Sequence, residues 1–230
     1  MPSPSSRQST TLFKLLDIPI RVLLGLFFAF SAGIYFKNAI GGMAALDWSQ
    51  LRAAQLIDAF SILAIGLYTF LIACLYAIRL QPVNKFAGII PALTAIGGGF
   101  LVSAILLLAP RAELPLGWKI AAAALILTGN VFAAYALSHL GRSFSILPEG
   151  RKLVTAGPYR TIRHPLYASE AVATLGAMIN FLSVWAVIIV VVQLALQLGR
   201  IHYEEKVLRA TFPEYAAYAK RTARLIPGVY

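Results

Sequence analysis

The chain has 230 residues, of which 59% are hydrophobic and only 13% are charged. Soluble domains carry about 25% charged residues, so this composition excludes an ordinary soluble domain. The formal net charge of +11 would suggest nucleic-acid binding on a soluble chain, but basic cytoplasmic loops explain it better on an apolar one. We therefore expect no nucleic-acid partner. The single cysteine, Cys74, excludes a disulfide framework and a thiolate metal site.

Apolar runs of the length that crosses a bilayer as a helix recur along the chain. Backbone groups in lipid must be hydrogen-bonded within the protein, so these spans should be helical. We predict an all-α polytopic membrane protein that forms a single domain over residues 1–230. Residues 1–14, which begin with a Ser/Pro-rich stretch, are expected to be disordered. The four predicted full spans are residues 18–36, 56–80, 86–109 and 116–140.

Three glycines, Gly97 to Gly99, lie inside the third apolar run. A glycine-rich phosphate loop would require a preceding strand, which the sequence does not offer at this place. Glycines in membrane helices allow close approach of a neighbouring helix. We therefore predict tight helix packing or a local kink here.

The apolar run from Leu166 to Leu198 is too long for one span. A single helix of that length would measure about 50 Å, whereas the hydrocarbon core is about 30 Å thick. Asn180 and Ser183 interrupt the run near its middle. We predict a hairpin of two short helices, residues 167–179 and 182–199, followed by a cytosolic C-terminal helix.

The distribution of basic residues supports this topology. With the N-terminus inside, only four of the 20 Lys and Arg residues lie away from the inner face. Cytoplasmic loops are enriched in Lys and Arg, so the hairpin brings residues 141–163 and the segment after Leu198 to the same, cytoplasmic side. The four exceptions are Lys37, Arg52, Arg111 and Lys119.

Two polar clusters flank the hairpin. The first, residues 153–170, holds Arg163 and His164 between apolar runs, and the second reads RIHYEE from Arg200. Arg200 and Glu204 are four residues apart and share a helical face. A surface ion pair would contribute only about 0–1 kcal/mol, but ionisable groups at a membrane edge are candidates for function. The clusters together predict a ligand site.

The motifs in these clusters resemble those of the isoprenylcysteine carboxyl methyltransferase and phospholipid methyltransferase superfamily. The resemblance covers residues 141–227 and is closest to bacterial members. It implies S-adenosylmethionine binding at the cytosolic membrane edge, beneath a tunnel open to lipid, in a bacterial cytoplasmic membrane. Ser169 departs from the small or glycine residue common in the prenylcysteine enzymes. The motifs are Gly157-Pro158-Tyr159, Arg163-His164-Pro165-Leu166-Tyr167 and Glu204-Glu205, followed by Leu208, Phe212, Tyr215, Tyr218 and Pro227.

The resemblance implies a role for each motif residue. A carboxylate can accept hydrogen bonds from the ammonium group or the ribose hydroxyls of the cofactor, and Arg163 or His164 can donate to its carboxylate. We expect Arg200 and Glu204 to be catalytic by positioning the acceptor, and we expect no metal. The residues expected to bind the cofactor are Gly157, Tyr159, Arg163, His164, Pro165, Tyr167 and Glu205.

The acceptor stays open between a prenylcysteine-like carboxylate and a lipid amine, with membrane lipids as further partners. An amine or thiol would need a general base, for which His202 or Glu204 is a candidate. Two other functions are compatible with the sequence. One is a nicotinamide-dependent membrane reductase of sterol-reductase-like fold, and the other is a non-enzymatic membrane assembly protein.

Overall fold

The computed structural model describes residues 4–46, 53–85, 88–108 and 114–228. These residues are helical apart from connecting loops and one pair of two-residue strands, so the all-α prediction is confirmed. The helices are α1 Pro4–Ala44, α2 Ala53–Ile78, α3 Ile89–Phe100, α4 Leu116–Leu140, α5 Pro165–Asn180, α6 Val184–Thr211 and α7 Tyr215–Arg221.

By length and composition, α1, α2, α4 and α6 each contain a stretch suited to crossing a membrane. The chain is therefore an integral membrane protein, as predicted. The third predicted span is shorter than expected, because α3 ends at Phe100 and continues only as a 3-10 helix, Leu101–Leu107. Gly97 to Gly99 favour this change, since glycine is a poor helix former and 3-10 turns often end helices.

The N-terminal segment differs from its prediction. Helix α1 begins at Pro4, so residues 4–14 are helical rather than disordered, and residues 1–3 lie outside the described residues. Proline is compatible with the first turn of a helix because the amide there has no partner within the helix. The apolar residues that follow continue the helix without interruption.

Small residues bring α4 and α5 together. A Cβ atom on Gly129 would lie 2.5 Å from the backbone nitrogen of Ala173, and one on Gly176 would lie 2.5 Å from the carbonyl oxygen of Ala122. Such contacts are typical of membrane helices, which associate by close packing. Tyr76 of α2 is almost fully buried in the hydrophobic core that α2 forms with α4 and the start of α5.

The packing predicted for the triple glycine is confirmed. A Cβ atom on Gly97 would lie 2.8 Å from Leu196 Cδ1, and one on Gly98 would lie 2.6 Å from Arg200 Cδ. Helix α3 thus rests directly on α6, and the absence of side chains at Gly97 and Gly98 leaves room for Leu196 and Arg200 respectively.

The predicted hairpin breaks where expected, between Asn180 and Val184. Ser183 caps α6 by accepting a hydrogen bond from the amide of Ala186 at 3.1 Å. Helix α6 is longer than predicted and carries the second polar cluster to Thr211. An antiparallel pair, β1 Asn84–Lys85 and β2 Glu149–Gly150, ties the loop after α2 to the loop after α4.

Candidate functional site

The loop that carries the first cluster pairs with the segment after α7. The amide of Arg163 donates to the carbonyl of Ala223 at 2.9 Å, and the amide of His164 donates to that of Arg224 at 3.1 Å. Pro165 then opens α5, where its fixed backbone angle suits the first helical turn. The end of the chain therefore fixes the backbone on which the Arg-His-Pro motif lies.

Glu205 joins the two polar clusters. Its side chain is buried and accepts hydrogen bonds from Arg163 Nε at 2.8 Å and Arg224 Nη2 at 2.8 Å. His164 Nε2 lies 3.2 Å from the same carboxylate. The predicted hairpin thus brings the clusters together, but it also directs Arg163 and His164 towards a protein carboxylate. The sequence predicts that Arg163 or His164 donates to the cofactor carboxylate, whereas in the structure both side chains contact the buried carboxylate of Glu205, which needs such partners.

A cavity lies beside this ion cluster, and we name it the motif cavity. The empty space between its walls, open solvent included, is about 710 Å³. Glu205 is absent from its walls, whereas Glu204 contributes to them. The other predicted residues in the wall are Tyr159, Arg163, His164 and Tyr167.

Glu204 is held in place by Tyr167, whose Oη donates a hydrogen bond to Glu204 Oε2 at 2.6 Å. The carboxylate keeps further acceptor positions, because two oxygens offer about four lone-pair directions. The two adjacent acids therefore differ in their surroundings: Glu204 faces the cavity, and Glu205 lies within the ion cluster.

Tyrosines form much of the remaining wall. Tyr159 is buried, and its hydroxyl has no hydrogen-bond partner within the described residues. Its backbone carbonyl accepts a bond from Tyr218 Oη at 2.6 Å. Burial, and then the charge of Glu204, raise the pKa of Tyr159 above its ordinary value, and burial raises the pKa of Tyr218 to about 12. Both hydroxyls are therefore neutral donors near pH 7.

Arg200 lies apart from the motif cavity. Its guanidinium carbon is 4.7 Å from the ring centroid of Tyr167, and its Nη2 reaches the carbonyl of Ile146 at 3.4 Å. Arg200 Nε is buried and has no hydrogen-bond partner among the residues that the structure describes. Within the described residues no ion pair joins Arg200 to Glu204, so sharing a helical face does not bring their charges into contact. Tyr167 stands between them instead.

Arg200 faces a second space inside the helix bundle, which we name the membrane cavity. It consists of two adjoining pockets of about 870 and 820 Å³, open space included. Both pockets border Glu170, which accepts hydrogen bonds from Tyr68 Oη at 2.6 Å and Gln197 Nε2 at 3.2 Å. No pattern in the sequence indicates that Glu170 contacts Tyr68 and Gln197, because these two are isolated polar residues in different apolar runs. The pockets also share Tyr35, Ile65, Gly99, Ser103 and Asn130.

Gly157, Pro165 and His202 lie outside the walls of the motif cavity. Gly157 has a φ of +59°, and a Cβ atom there would lie 2.1 Å from the ring of His139. Its close backbone approach is thus to a protein side chain rather than to a ligand. His202 is exposed on the outer face of α6, so it is not placed to act as a base in either cavity.

A second buried ion network contributes two residues to the wall of the motif cavity. Arg79 Nη2 donates to Asp17 Oδ1 at 2.7 Å, and Arg151 bonds to both Asp17 and Glu149. Glu149 and Arg151 also border the motif cavity. No pattern in the sequence indicates this network, because Asp17 and Arg151 are 134 residues apart.

Within the part of the chain that the structure describes, no three His, Cys, Asp or Glu side chains are grouped as metal ligands. The expectation that the protein uses no metal stays a prediction, because such a group can also form on binding.

Comparison with known proteins agrees with this geometry. Residues 118–215 match the family described as phospholipid methyltransferase. The chain is 40% identical over 97 residues to the cobalt-zinc-cadmium resistance protein CzcN of Cupriavidus metallidurans, which covers 40% of this chain and 44% of that protein. It is 32% identical over 112 residues to protein-S-isoprenylcysteine O-methyltransferase B of Arabidopsis thaliana, which covers 46% of this chain and 57% of that protein.

The chain therefore spans about half the length of the curated relatives it matches. The matched region runs from α4 through α6 and contains the Arg-His-Pro motif, Arg200 and both acids. Over this region the chain is similar to the phospholipid methyltransferase family and to an isoprenylcysteine O-methyltransferase.

Proposed function

We propose that the protein is an S-adenosylmethionine-dependent methyltransferase that acts on a lipophilic acceptor at the cytosolic edge of the membrane. One observation carries the proposal. The motif cavity and the membrane cavity meet where they share Phe144, and Tyr167 in the wall of the motif cavity contacts both Glu204 of that cavity and Arg200 of the membrane cavity. This arrangement suits a polar methyl donor on one side and a membrane-derived acceptor on the other.

The walls of the motif cavity fit the chemistry of S-adenosylmethionine. Glu204 has acceptor positions for an ammonium group or ribose hydroxyls, and the unpartnered hydroxyl of Tyr159 is a donor for a carboxylate. Tyrosine rings offer faces for the adenine and for the sulfonium cation. The guanidinium group of Arg163 is paired with Glu205, which lowers the positive charge available to a phosphate-rich nicotinamide cofactor.

S-adenosylmethionine would supply an electrophilic methyl group, whose transfer to an acceptor requires no metal. The residues of the chain then have to position the acceptor and exclude water. Tyr167 and Glu204 contribute the wall at the meeting point, and Arg200 offers an unpartnered donor on the acceptor side. Glu205 acts as a positioning residue, because it holds Arg163, His164 and Arg224 beneath the motif cavity.

The need for a base depends on the acceptor. A carboxylate gains the methyl group on oxygen and releases no proton, so Arg200 alone suffices to orient it. An amine loses a proton on methylation, and Glu204 is the carboxylate nearest to the meeting point that can take it. The exposed His202 has no part in either case.

Orientation and membrane are part of the same proposal. The basic loops support a cytosolic motif cavity in a bacterial cytoplasmic membrane. In a Cys74→Ser protein, the additional change Arg160→Cys provides a single exposed cysteine beside the Arg-His-Pro motif. A membrane-impermeant maleimide should label it in inverted vesicles and spare it in intact spheroplasts. The opposite labelling pattern would refute the orientation.

The first experiment is calorimetric titration of the protein in nanodiscs with S-adenosylmethionine and S-adenosylhomocysteine. We expect saturable binding that weakens in Glu204→Gln and Tyr159→Phe, with thermal unfolding unchanged in both. NADPH should not bind. Saturable NADPH binding without S-adenosylhomocysteine binding would favour the reductase, and no binding of either by a folded protein would favour an assembly protein.

A further inference from the structure

We propose that a pocket at the edge of the membrane binds the phosphate of an anionic phospholipid. The pocket lies where α2 ends, between α1 and the 3-10 turn Gly141–Ser143 that follows α4. We name it the arginine pocket, and the empty space between its walls, open solvent included, is about 980 Å³. None of its described wall residues belongs to the motif cavity or the membrane cavity, so the inference is independent of methyl transfer. The wall contains Arg21, Ile78, Arg79, Leu80, Gln81 and Arg142.

The three arginines of this wall lie at one edge of the membrane. By length and composition, the span of α1 begins at Asp17, that of α2 ends at Ile78, and that of α4 ends at Ser143. Each arginine lies within four residues of one of these ends. The Arg-His-Pro motif follows α4 and therefore lies at the same edge. Basic pockets between helices at the cytoplasmic edge are typical binding sites for anionic lipid head groups.

Backbone carbonyls at the end of α2 hold two of the arginines in place. Arg21 Nη2 donates to the carbonyl of Ala77, and Arg142 Nε donates to that of Ile78 at 2.8 Å. The amide of Leu80 donates to the carbonyl of Arg142 at 2.8 Å, which fixes the backbone there as well. A guanidinium group has five N–H donors, so capping the helix end uses only one donor of each arginine. Among the described residues neither arginine forms an ion pair, so their charges are available to a ligand.

The third arginine, Arg79, is buried at the same place. Its Nη2 donates to Asp17 at 2.7 Å, and its guanidinium carbon lies 4.6 Å from the centroid of the Tyr76 ring. Its Nε is buried and has no hydrogen-bond partner in the described part of the chain. Burial, and then the charge of Arg151, lower the pKa of Arg79 below its ordinary value. An anion in the arginine pocket would therefore offset an excess of positive charge that the protein itself leaves.

A phosphate can belong to a lipid or to a soluble ester, and the surroundings of the arginine pocket favour the lipid. Ile18, Val22 and Leu26 are each more than half exposed on α1. Residues three or four apart are neighbours on a helix surface, so these side chains form an apolar strip that starts beside Arg21 and continues into the span. Ile78, in the wall itself, is also more than half exposed. A bound phosphate would thus have apolar surface next to it for acyl chains.

The charge of the wall favours a head group with a net negative charge. A guanidinium fork matches the oxygens of a phosphate. The described wall holds three guanidinium groups and no carboxylate, so the added cation of a choline head group would be repelled. Phosphatidylglycerol meets these requirements, and phosphatidylcholine with the same acyl chains is the matched comparison.

The test is titration of the full chain in detergent with each of these lipids, and native mass spectrometry measures the fraction of protein with one bound lipid. We expect the first phosphatidylglycerol to bind at least about tenfold more tightly than the first phosphatidylcholine. Glycerophosphoglycerol carries the same head group without acyl chains, and at millimolar concentration it should not displace the lipid.

Arg21→Gln and Arg142→Gln should each weaken phosphatidylglycerol about fivefold and leave phosphatidylcholine unchanged, because one basic group is lost from the wall. The double variant should lose more than tenfold. Arg160→Gln is the matched control, since Arg160 is exposed at the same edge but lies outside the arginine pocket. It should bind phosphatidylglycerol as the wild type does.

Gln81→Glu tests the same charge without removing a helix cap. Gln81 is exposed in the wall of the pocket, and a carboxylate there should weaken phosphatidylglycerol about fivefold. Gln55→Glu makes the same change at the opposite end of α2 and should have no effect. If the arginine variants unfold early in a thermal scan, the comparison of these two variants decides.

Equal affinity of the wild type for the two lipids would overturn the proposal. So would equal phosphatidylglycerol affinity of Gln81→Glu and Gln55→Glu, or a loss in Arg160→Gln as large as that in Arg142→Gln. Displacement of the lipid by glycerophosphoglycerol at a similar concentration would assign the arginine pocket to soluble phosphate esters and refute the lipid site.

Discussion

The guanidinium carbon of Arg200 lies 4.7 Å from the centroid of the Tyr167 ring. The hydroxyl of the same tyrosine donates to Glu204 in the wall of the motif cavity. Tyr167 therefore contacts, with one side chain, the cation of the membrane cavity and the acid of the motif cavity. This relationship makes its ring and its hydroxyl separately testable.

Replacing Tyr167 by Phe removes the hydroxyl and keeps the ring beneath Arg200. We expect S-adenosylhomocysteine to bind about fivefold to tenfold more weakly, because Glu204 loses the hydrogen bond that orients it and a typical hydrogen bond contributes about 0.5–1.5 kcal/mol net. Acceptor binding should stay near wild type. Tyr167→Leu removes the ring as well and should weaken both ligands. Calorimetry on the two variants measures both affinities. The prediction is wrong if Tyr167→Phe and Tyr167→Leu weaken acceptor binding equally.

Replacing Glu205 should mainly lower the stability of the protein, whereas replacing Glu204 should mainly weaken cofactor binding. Glu205→Gln removes the buried carboxylate that pairs with the half-buried Arg163 and Arg224, which should destabilise the protein by about 3–5 kcal/mol. Glu204→Gln should unfold at nearly the wild-type temperature and bind S-adenosylhomocysteine more weakly. Thermal unfolding in nanodiscs measures the first effect and calorimetry the second. A Glu205→Gln protein as stable as wild type would refute the ion cluster.

Gly157→Ala combines two costs, a positive φ and a clash. The strained backbone should cost about 1–3 kcal/mol, and the new Cβ atom would lie 2.1 Å from the His139 ring. Gly141→Ala is the matched control, because Gly141 has a φ of +52° and nothing within 4 Å of its Cβ position. Gly157→Ala should therefore lower the unfolding temperature more than Gly141→Ala does.

The double variant Gly157→Ala, His139→Ala should recover the part of the loss that comes from the clash. If the double variant unfolds at the temperature of Gly157→Ala alone, the close approach to His139 has no energetic weight. The loss would then be due to the backbone only.

Periodicity and charge were sufficient to predict the architecture around the site. The length of the run from Leu166 to Leu198 excluded one straight crossing, and the polar residues Asn180 and Ser183 marked the turn that the structure contains. Because the hairpin returns the chain to one face, Arg163 and Glu205 could be expected to lie close together. These inferences depend on local properties of the chain, which a single sequence expresses directly.

The missed contacts are long-range ones. Glu170 meets Tyr68 across 102 residues and Asp17 meets Arg151 across 134. The partners lie in different segments of the chain, so no spacing rule links one residue to the other. The sequence predicts that Glu205 binds the cofactor and Glu204 the acceptor, whereas in the structure Glu204 borders the motif cavity and Glu205 does not. Arg224, which fixes the position of Glu205, follows α7 and carries no motif.

The close contact of α3 with Arg200 gives a further test of the acceptor side. A Cβ atom on Gly98 would lie 2.6 Å from Arg200 Cδ, in the middle of the side chain, so Gly98→Ala should displace Arg200 from Tyr167. We expect acceptor binding to fall about tenfold while S-adenosylhomocysteine binds as before, because Gly98 lies outside the motif cavity. Gly33→Ala is the control, since α1 has open space at that position. Alanine also favours a helix by about 0.5–1 kcal/mol over glycine, so neither variant should unfold early for lack of helix propensity. Equal acceptor affinity of Gly98→Ala and Gly33→Ala would mean that the position of Arg200 does not govern the acceptor.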